Sequence, residues 1–288
     1  VSLVLDGCES CLLLWEETES DAEKQVKWKQ EEKTPVIVLD VSKEMALTLQ
    51  GQNVYRIDSF DMSLDQKEWK ETEVQIFSEA CDAAKLLREE HLCFTGSFGI
   101  PKRIQIKYPI EAYYRTVVRI EDVPKTLSVL MDDRTISGSF IMHVNGHKIC
   151  KGDFTPIFIN DQNNRICPIV SYIKKGENQI DITVTVQKDF DGIRDPLYLL
   201  GDFGVEDGCI VSTPKVGKLG EGYIKGAPFY SGEMRFTTEF SYQGDKTGGI
   251  VIELGGISHF YECMEMKING HDLGARVFSP YRFRCRKE

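Results

Sequence analysis

Two segments of this 288-residue chain carry the same device, FIMHVNGHKI at residues 140–149 and MEMKINGHDL at 264–273. In each, an alternating apolar run reaches Asn-Gly-His and turns into a second short run. Asn-Gly between alternating segments signals a hairpin, because a type I′ turn demands positive φ at both central residues and these two tolerate it. Similar strands precede the two turns, AYYRTVVRI (112–120) and EMRFTTEF (233–240), so two related β modules are expected. The first continues into KKGENQIDITVTV (174–186), a turn that feeds a strand of nearly perfect period two. The matching point in the second would fall past Glu288, and that module reads as cut short.

Helical spacing surfaces once, in SEACDAAKLLREEH from Ser78, where Ala80, Ala83, Ala84 and Leu87 share a face. The chain therefore divides into a partial β region (1–77), a short bridging helix (78–93), a first sandwich (94–205), a Gly- and Pro-rich connector (206–230) and a second, truncated sandwich (231–288). The β region contains VIVLD (36–40), ALTL (46–49) and FDMSLDQKEW (60–69), each expected as a strand. In the first sandwich, strands are expected near 103–108, 112–120, 125–131, 138–144, 147–150, 165–170, 179–187 and 196–200. Short strands punctuated by Gly, Pro, Asn and Asp, without alternating helices, define a mainly all-β fold of antiparallel sandwich or jelly-roll type. A barrel of alternating strands and helices would need an amphipathic helix after most strands.

Charge narrows the partners. With 35 basic and 45 acidic residues the net charge is −10, which disfavours a grip on phosphate backbones, so no nucleic acid is expected. No apolar run approaches the roughly 20 residues that cross a bilayer, and no membrane partner is expected. The chain opens at Val1 inside an apolar run, without a signal-peptide pattern, and reads as a fragment of a larger protein. Nine cysteines show no framework spacing, and several sit in apolar company, such as Cys93 beside Phe94 and Cys263 beside Met264. Reduced, buried thiols and a cytoplasmic setting follow as the expectation. Cys8 and Cys11 form a CxxC, but no second pair follows to complete a zinc site.

Catalytic chemistry finds little purchase. There is no GxSxG elbow, and Gly217, Gly220, Gly222 and Gly226 match no phosphate-binding loop. His147 and His271 follow the turn glycines and are expected to be exposed hairpin-tip residues. Of the acidic pairs, Asp132 with Asp133 and Asp202 with Glu206 stand at strand ends, where carboxylates cap turns or bind a structural cation. No catalytic residue and no cofactor are expected; a structural Ca²⁺ is compatible with these loops, without a defined ligand set. Sugar binding is better served, since sugar C–H faces pack on exposed aromatic rings. The candidates are Phe229 and Tyr230 in the connector, and Tyr281 with Arg282 near the end. Among Trp15, Trp28 and Trp69, the lysine-flanked Trp28 is expected to be the most exposed.

The ordered set KKGENQIDITVTV (174–186), DPLYLLGDFGV (195–205), GAPFYSGEMRF (226–236), VIELGG (251–256) and INGHDLGARVFSPYRF (268–283) resembles the C-terminal accessory region of large bacterial glycoside hydrolases. The likeness is to the α-L-rhamnosidase-like family and to the sugar-binding jelly roll of glycoside hydrolase family 2. It implies tandem galactose-binding-like jelly rolls, with the catalytic carboxylates on a (β/α)₈ barrel upstream of Val1. Two roles follow: a non-catalytic accessory fragment packed on the catalytic domain of the same parent chain, or a carbohydrate-binding module for a plant or microbial polysaccharide. Similar jelly rolls close with a Lys-Gly-Glu-Asn turn after PYRF; here that turn occurs at 175–178 and not after Phe283.

Overall fold

The computed structural model describes residues 35–74, 107–188, 191–219, 224–244, 249–256 and 262–285. Among these the structure is almost wholly β, with two single-turn 3₁₀ segments, Lys151–Asp153 and Val170–Tyr172. The helix expected over 78–93, the CxxC, Trp15, Trp28 and Cys93 lie outside the described residues. No described helix is long and apolar enough to cross a membrane. The chain divides into two compact units, one built on 48–215 with 225–235, the other on 1–47, 216–224 and 236–288.

The larger unit is a two-sheet sandwich. One sheet is organised on Gly176–Val186, which pairs antiparallel with Ile110–Ile120 from Gly176↔Ile120 to Val186↔Ile110. On its other edge it pairs with Ser139–Val144, and that strand with His147–Cys150. Beyond Ile110–Ile120 come Cys209–Val211, in parallel, and then Gly204–Glu206. The facing sheet runs Thr155–Pro156, Asn164–Pro168, Leu127–Asp132, Leu197–Gly201 and Asn53–Ile57.

Period two explains the core. Along Gly176–Val186 the side chains of Asn178, Ile180, Ile182, Val184 and Val186 are buried, while the alternate positions are exposed or half-buried. Their neighbours include Ala112, Tyr114, Val118 and Ile120 from one sheet and Leu127, Val129, Met131, Leu197 and Leu199 from the other. Burying each Val or Ile contributes about 1.5–3 kcal/mol, so a one-residue slip in register would forfeit the whole row. The outer face carries the opposite kind of residue: Arg115 opposes Asp181, Arg119 opposes Glu177 and Glu111 opposes Thr185.

The first Asn-Gly turn forms as its sequence dictates, with Asn145 at φ 48° and Gly146 at φ 84°. Its side chain reaches further than a turn requires. Asn145 Nδ2 donates to Asn178 Oδ1 and to the Tyr172 carbonyl, and Asn145 Oδ1 accepts from the Gln179 backbone N–H. The two sequence signals, NG and KKGEN, thus lock into each other. His147 is exposed as expected, and its ring stacks on Tyr172 at 4.7 Å and 14°.

Several expectations need correction. FDMSLDQKEW is not one strand but half a hairpin: Ser59–Ser63 turns and pairs with Lys70–Glu73. The break comes at Asp65, whose Oδ1 accepts from the backbone N–H groups of Lys67 and Glu68, holding its carboxyl below the usual carboxylate range. Nor do the strands of residues 1–77 stay together. Asn53–Ile57 and Ser59–Ser63 enter the larger sandwich, whereas Val36–Asp40 runs parallel to Ile250–Gly255 in the smaller unit. Cys263, grouped with buried thiols, is exposed while Met264 beside it is 8% exposed, because successive residues of an extended chain face opposite ways.

The smaller unit holds the second Asn-Gly turn, Asn269 at φ 50° and Gly270 at φ 86°, joining Met264–Ile268 to His271–Arg276 with a bulge between Glu265 and Lys267. A three-stranded sheet places Ile250–Gly255 between Val36–Asp40 and Arg282–Cys285. Its buried centre is Met264, Tyr281 and Phe283, packed by Leu219, Leu254, Met266 and Leu273.

Candidate carbohydrate site

The four residues proposed for sugar contact do not form one site. Phe229 and Tyr230 belong to the larger unit, Tyr281 and Arg282 to the smaller. Tyr281 is a core residue, 2% exposed, its hydroxyl donating to the Glu262 carbonyl at 2.8 Å. Burial, reinforced by the nearby Glu262 and Cys263, raises the phenol above its ordinary range, and no ring face remains for a ligand. Arg282 Nε donates to Glu253 Oε2 at 2.8 Å, an ion pair between directly opposed strand residues. PYRF is thus the closing strand of a core, and only its strand pairing separates it from an exposed aromatic.

Tyr230 is different. It is half-buried and lines an open groove of about 300 Å³, together with Ile159, Leu200, Gln50, Gln52 and Glu233. Its hydroxyl accepts from the Gly51 backbone N–H at 3.0 Å and donates to the Glu233 carbonyl at 2.8 Å. With both ends of the hydroxyl committed, the ring is held in place and offers carbon surface rather than a polar tip. Gly232 makes this fit possible: a Cβ there would stand 2.9 Å from the Tyr230 hydroxyl.

The loop carrying Tyr230 is tied down along its length. The buried amide of Asn53 donates to the carbonyls of both Phe203 and Gly226, and Val205 N–H donates to Gly226 O at 2.8 Å. At the groove's polar side, Gln52 Nε2 donates to Thr126 Oγ1, whose hydroxyl donates to Asp202 Oδ2. Gln52 is thereby oriented, and its carbonyl oxygen has no partner among the described residues. Phe229, 48% exposed, and Phe158, 77% exposed, are the sequence neighbours of the lining residues Tyr230 and Ile159. An apolar floor with a few fixed polar groups is the composition of a small-molecule site. Phe158 was missed in the sequence because nothing local separates it from a core aromatic.

The acidic pairs are all engaged. Asp132 Oδ1 accepts from Arg134 N at 2.8 Å, capping a turn, and Asp133 pairs with Arg165 at 3.4 Å. Asp202 accepts from Thr126 at 2.8 Å, and Glu206 stands 3.9 Å from Lys225. Among the described residues no three His, Cys, Asp or Glu side chains gather as metal ligands.

No family model matches the chain, and no curated protein matches it. Solved structures that overlap part of the chain include glycoside hydrolases. The exo-chitosanase of Amycolatopsis orientalis is 13% identical, with a TM-score of 0.39, over 51% of this chain and 20% of that one. The β-D-mannosidase of Dictyoglomus thermophilum is 11% identical, with a TM-score of 0.33, over 51% and 22%. A family 2 β-galacturonidase of Eisenbergiella tayi is 8% identical, with a TM-score of 0.31, over 54% and 25%. About half of this chain thus overlaps a fifth to a quarter of each enzyme.

Proposed function

We propose that this chain is a non-catalytic accessory β-sandwich portion of a carbohydrate-degrading glycoside hydrolase, with the catalytic barrel elsewhere in the parent protein. The observation that carries this reading is the use made of the acidic pairs: Asp132 and Asp133 cap a turn and bind Arg165, while Asp202 and Glu206 bind Thr126 and Lys225. Glycosidase carboxyl groups must instead face a common sugar, roughly 5–10 Å apart. The resemblance carried by residues 174–283 supports the same reading. Incubated with aryl glycosides, the purified chain is expected to release no aglycone above the uncatalysed rate. Turnover that disappears on replacing a single carboxylate would overturn the proposal.

A second reading, that the accessory sandwich also holds sugar, is favoured by the Tyr230 groove. Its fixed ring, apolar floor and oriented Gln52 suit a pyranose presenting one C–H face and one hydroxyl edge. Calorimetric titration with rhamnose, galactose and pectic oligosaccharides checks it. Binding is expected near 1 mM, roughly −4 kcal/mol, and Tyr230→Ala is expected to weaken it at least tenfold. Heat unchanged by that substitution would remove the groove from consideration.

A further inference from the structure

The open face of the sheet built on Gly176–Val186 carries a constellation that neither the accessory role nor the Tyr230 groove uses. Trp69, at the end of the turn made by Asp65, lies with its ring over the Arg115 guanidinium, 4.4 Å from Cζ to the ring centroid. Arg115 Nε donates to Asp181 Oδ1 at 2.9 Å, and Gln179 Nε2 donates to Asp181 Oδ2 at 2.6 Å. A stacked indole and a carboxylate held from its other side fix the guanidinium in plane and direction. Salt-bridge geometry of this kind on an exposed face contributes little stability by itself, with the Arg115 side chain 41% exposed.

What the arrangement leaves unused is informative. The Nη1 and Nη2 groups of Arg115 make no hydrogen bond among the described residues, and neither do the Trp69 indole N–H, the Tyr113 and Thr183 hydroxyls or the Gln66 side-chain amide. The five residues that carry these groups all line one recess of about 350 Å³. Thr183 stands directly across from Tyr113, and Asp181 directly across from Arg115, so the strand register places these side chains on one face.

The charge around the recess selects the ligand. Asp181 neutralises Arg115, the exposed Asp61 is paired across the strands with the same arginine, and the chain carries −10 overall. An anion gains nothing there. A neutral ligand rich in hydroxyls matches: its oxygens would meet the fixed guanidinium edge, the indole N–H and the Thr183 and Tyr113 hydroxyls, while its C–H faces pack on the aromatic carbon of Trp69 and Tyr113. The volume lies at the small end of ligand sites, enough for a short saccharide. We propose that this recess is a second binding site, for a neutral glycan, centred on the stacked Trp69 and Arg115.

The test is calorimetric titration of the full chain and its Y230A variant with cellotriose, galactobiose and methyl α-L-rhamnoside, with W69A and R115K each added to Y230A so that the Tyr230 groove does not contribute. R115K keeps the charge and loses the planar fork, so it separates recognition from folding, with the thermal midpoint as the check on integrity. At least one saccharide is expected to bind in the millimolar range or tighter, with that binding retained in Y230A and at least tenfold weaker once W69A or R115K is added. Binding that survives both added substitutions, binding already lost in Y230A, or no heat with any probe up to about 20 mM would each overturn the second site. None of these outcomes touches the accessory reading, which falls on glycoside turnover alone.

Discussion

Phe60→Ala is expected to lower the unfolding free energy of the larger unit by about 3–5 kcal/mol, a large fraction of the 5–15 kcal/mol that holds most domains together. Phe60 is 1% exposed, and its ring meets Tyr114 edge to face, with centroids 6.2 Å apart and planes at 84°. Such a pair contributes about 0.5–1.5 kcal/mol beyond the area it buries. Phe60 and Met62, each 1% exposed, are the two side chains by which the short strand Ser59–Ser63 reaches the core, since Ser59 and Asp61 are exposed. Urea denaturation followed by circular dichroism would read the shift in midpoint. A change below about 1 kcal/mol would mean that the strand is held by its backbone pairing rather than by this ring.

Asn178→Asp should be nearly as costly, about 3 kcal/mol or more, although it changes a single atom type. Asn178 is 2% exposed, and its amide is fully used: Nδ2 donates to the carbonyls of Lys174 and Gly176, while Oδ1 accepts from Lys174 N–H and Asn145 Nδ2. A carboxylate keeps the two acceptor contacts and turns the two donor contacts into oxygen against oxygen, with a buried charge added. The pH dependence fixes the cause. Burial among carbonyls raises the folded pKa of the new carboxyl above its unfolded value, so the deficit is greatest at neutral pH and shrinks as pH falls through that raised pKa. Asn178→Ala, which loses the bonds without adding charge, should show no such recovery. Denaturation midpoints at two pH values would distinguish them.

The strands of the first sandwich were legible because alternation and burial are the same fact seen from two sides. The expected 147–150 coincides with His147–Cys150, 112–120 differs from Ile110–Ile120 only at its start, and 179–187 starts three residues late and ends one residue past Gly176–Val186. Pairing was less legible. FDMSLDQKEW (60–69) reads as a single strand because Asp65 breaks it with side-chain hydrogen bonds rather than with Gly or Pro, and the partner strand Lys70–Glu73 goes unread. The site divided along the same line. Tyr230 could be suspected from an aromatic in a Gly-rich loop, but Tyr281 looked identical in sequence and differs only through the core that closes over it. Trp69 could not be placed at all, since its partner Arg115 is 46 residues away and the contact arises only when Ser59–Ser63 docks beside Ile110–Ile120.

Val36–Asp40 lies parallel to Ile250–Gly255, with Val36 opposite Val251, so the smaller unit is drawn from distant parts of the chain. Synthesis proceeds at roughly 5–20 residues per second, and domains generally fold as they emerge. Once Arg235 has left the ribosome, every described strand of the larger unit is present. Val36–Asp40, the first described strand of the smaller one, waits for its described partner Ile250–Gly255, which appears seconds later. Translation speed over residues 236–285 is therefore a parameter of this protein's assembly, and a pause there would prolong the interval in which an apolar ribbon is open to the wrong partner.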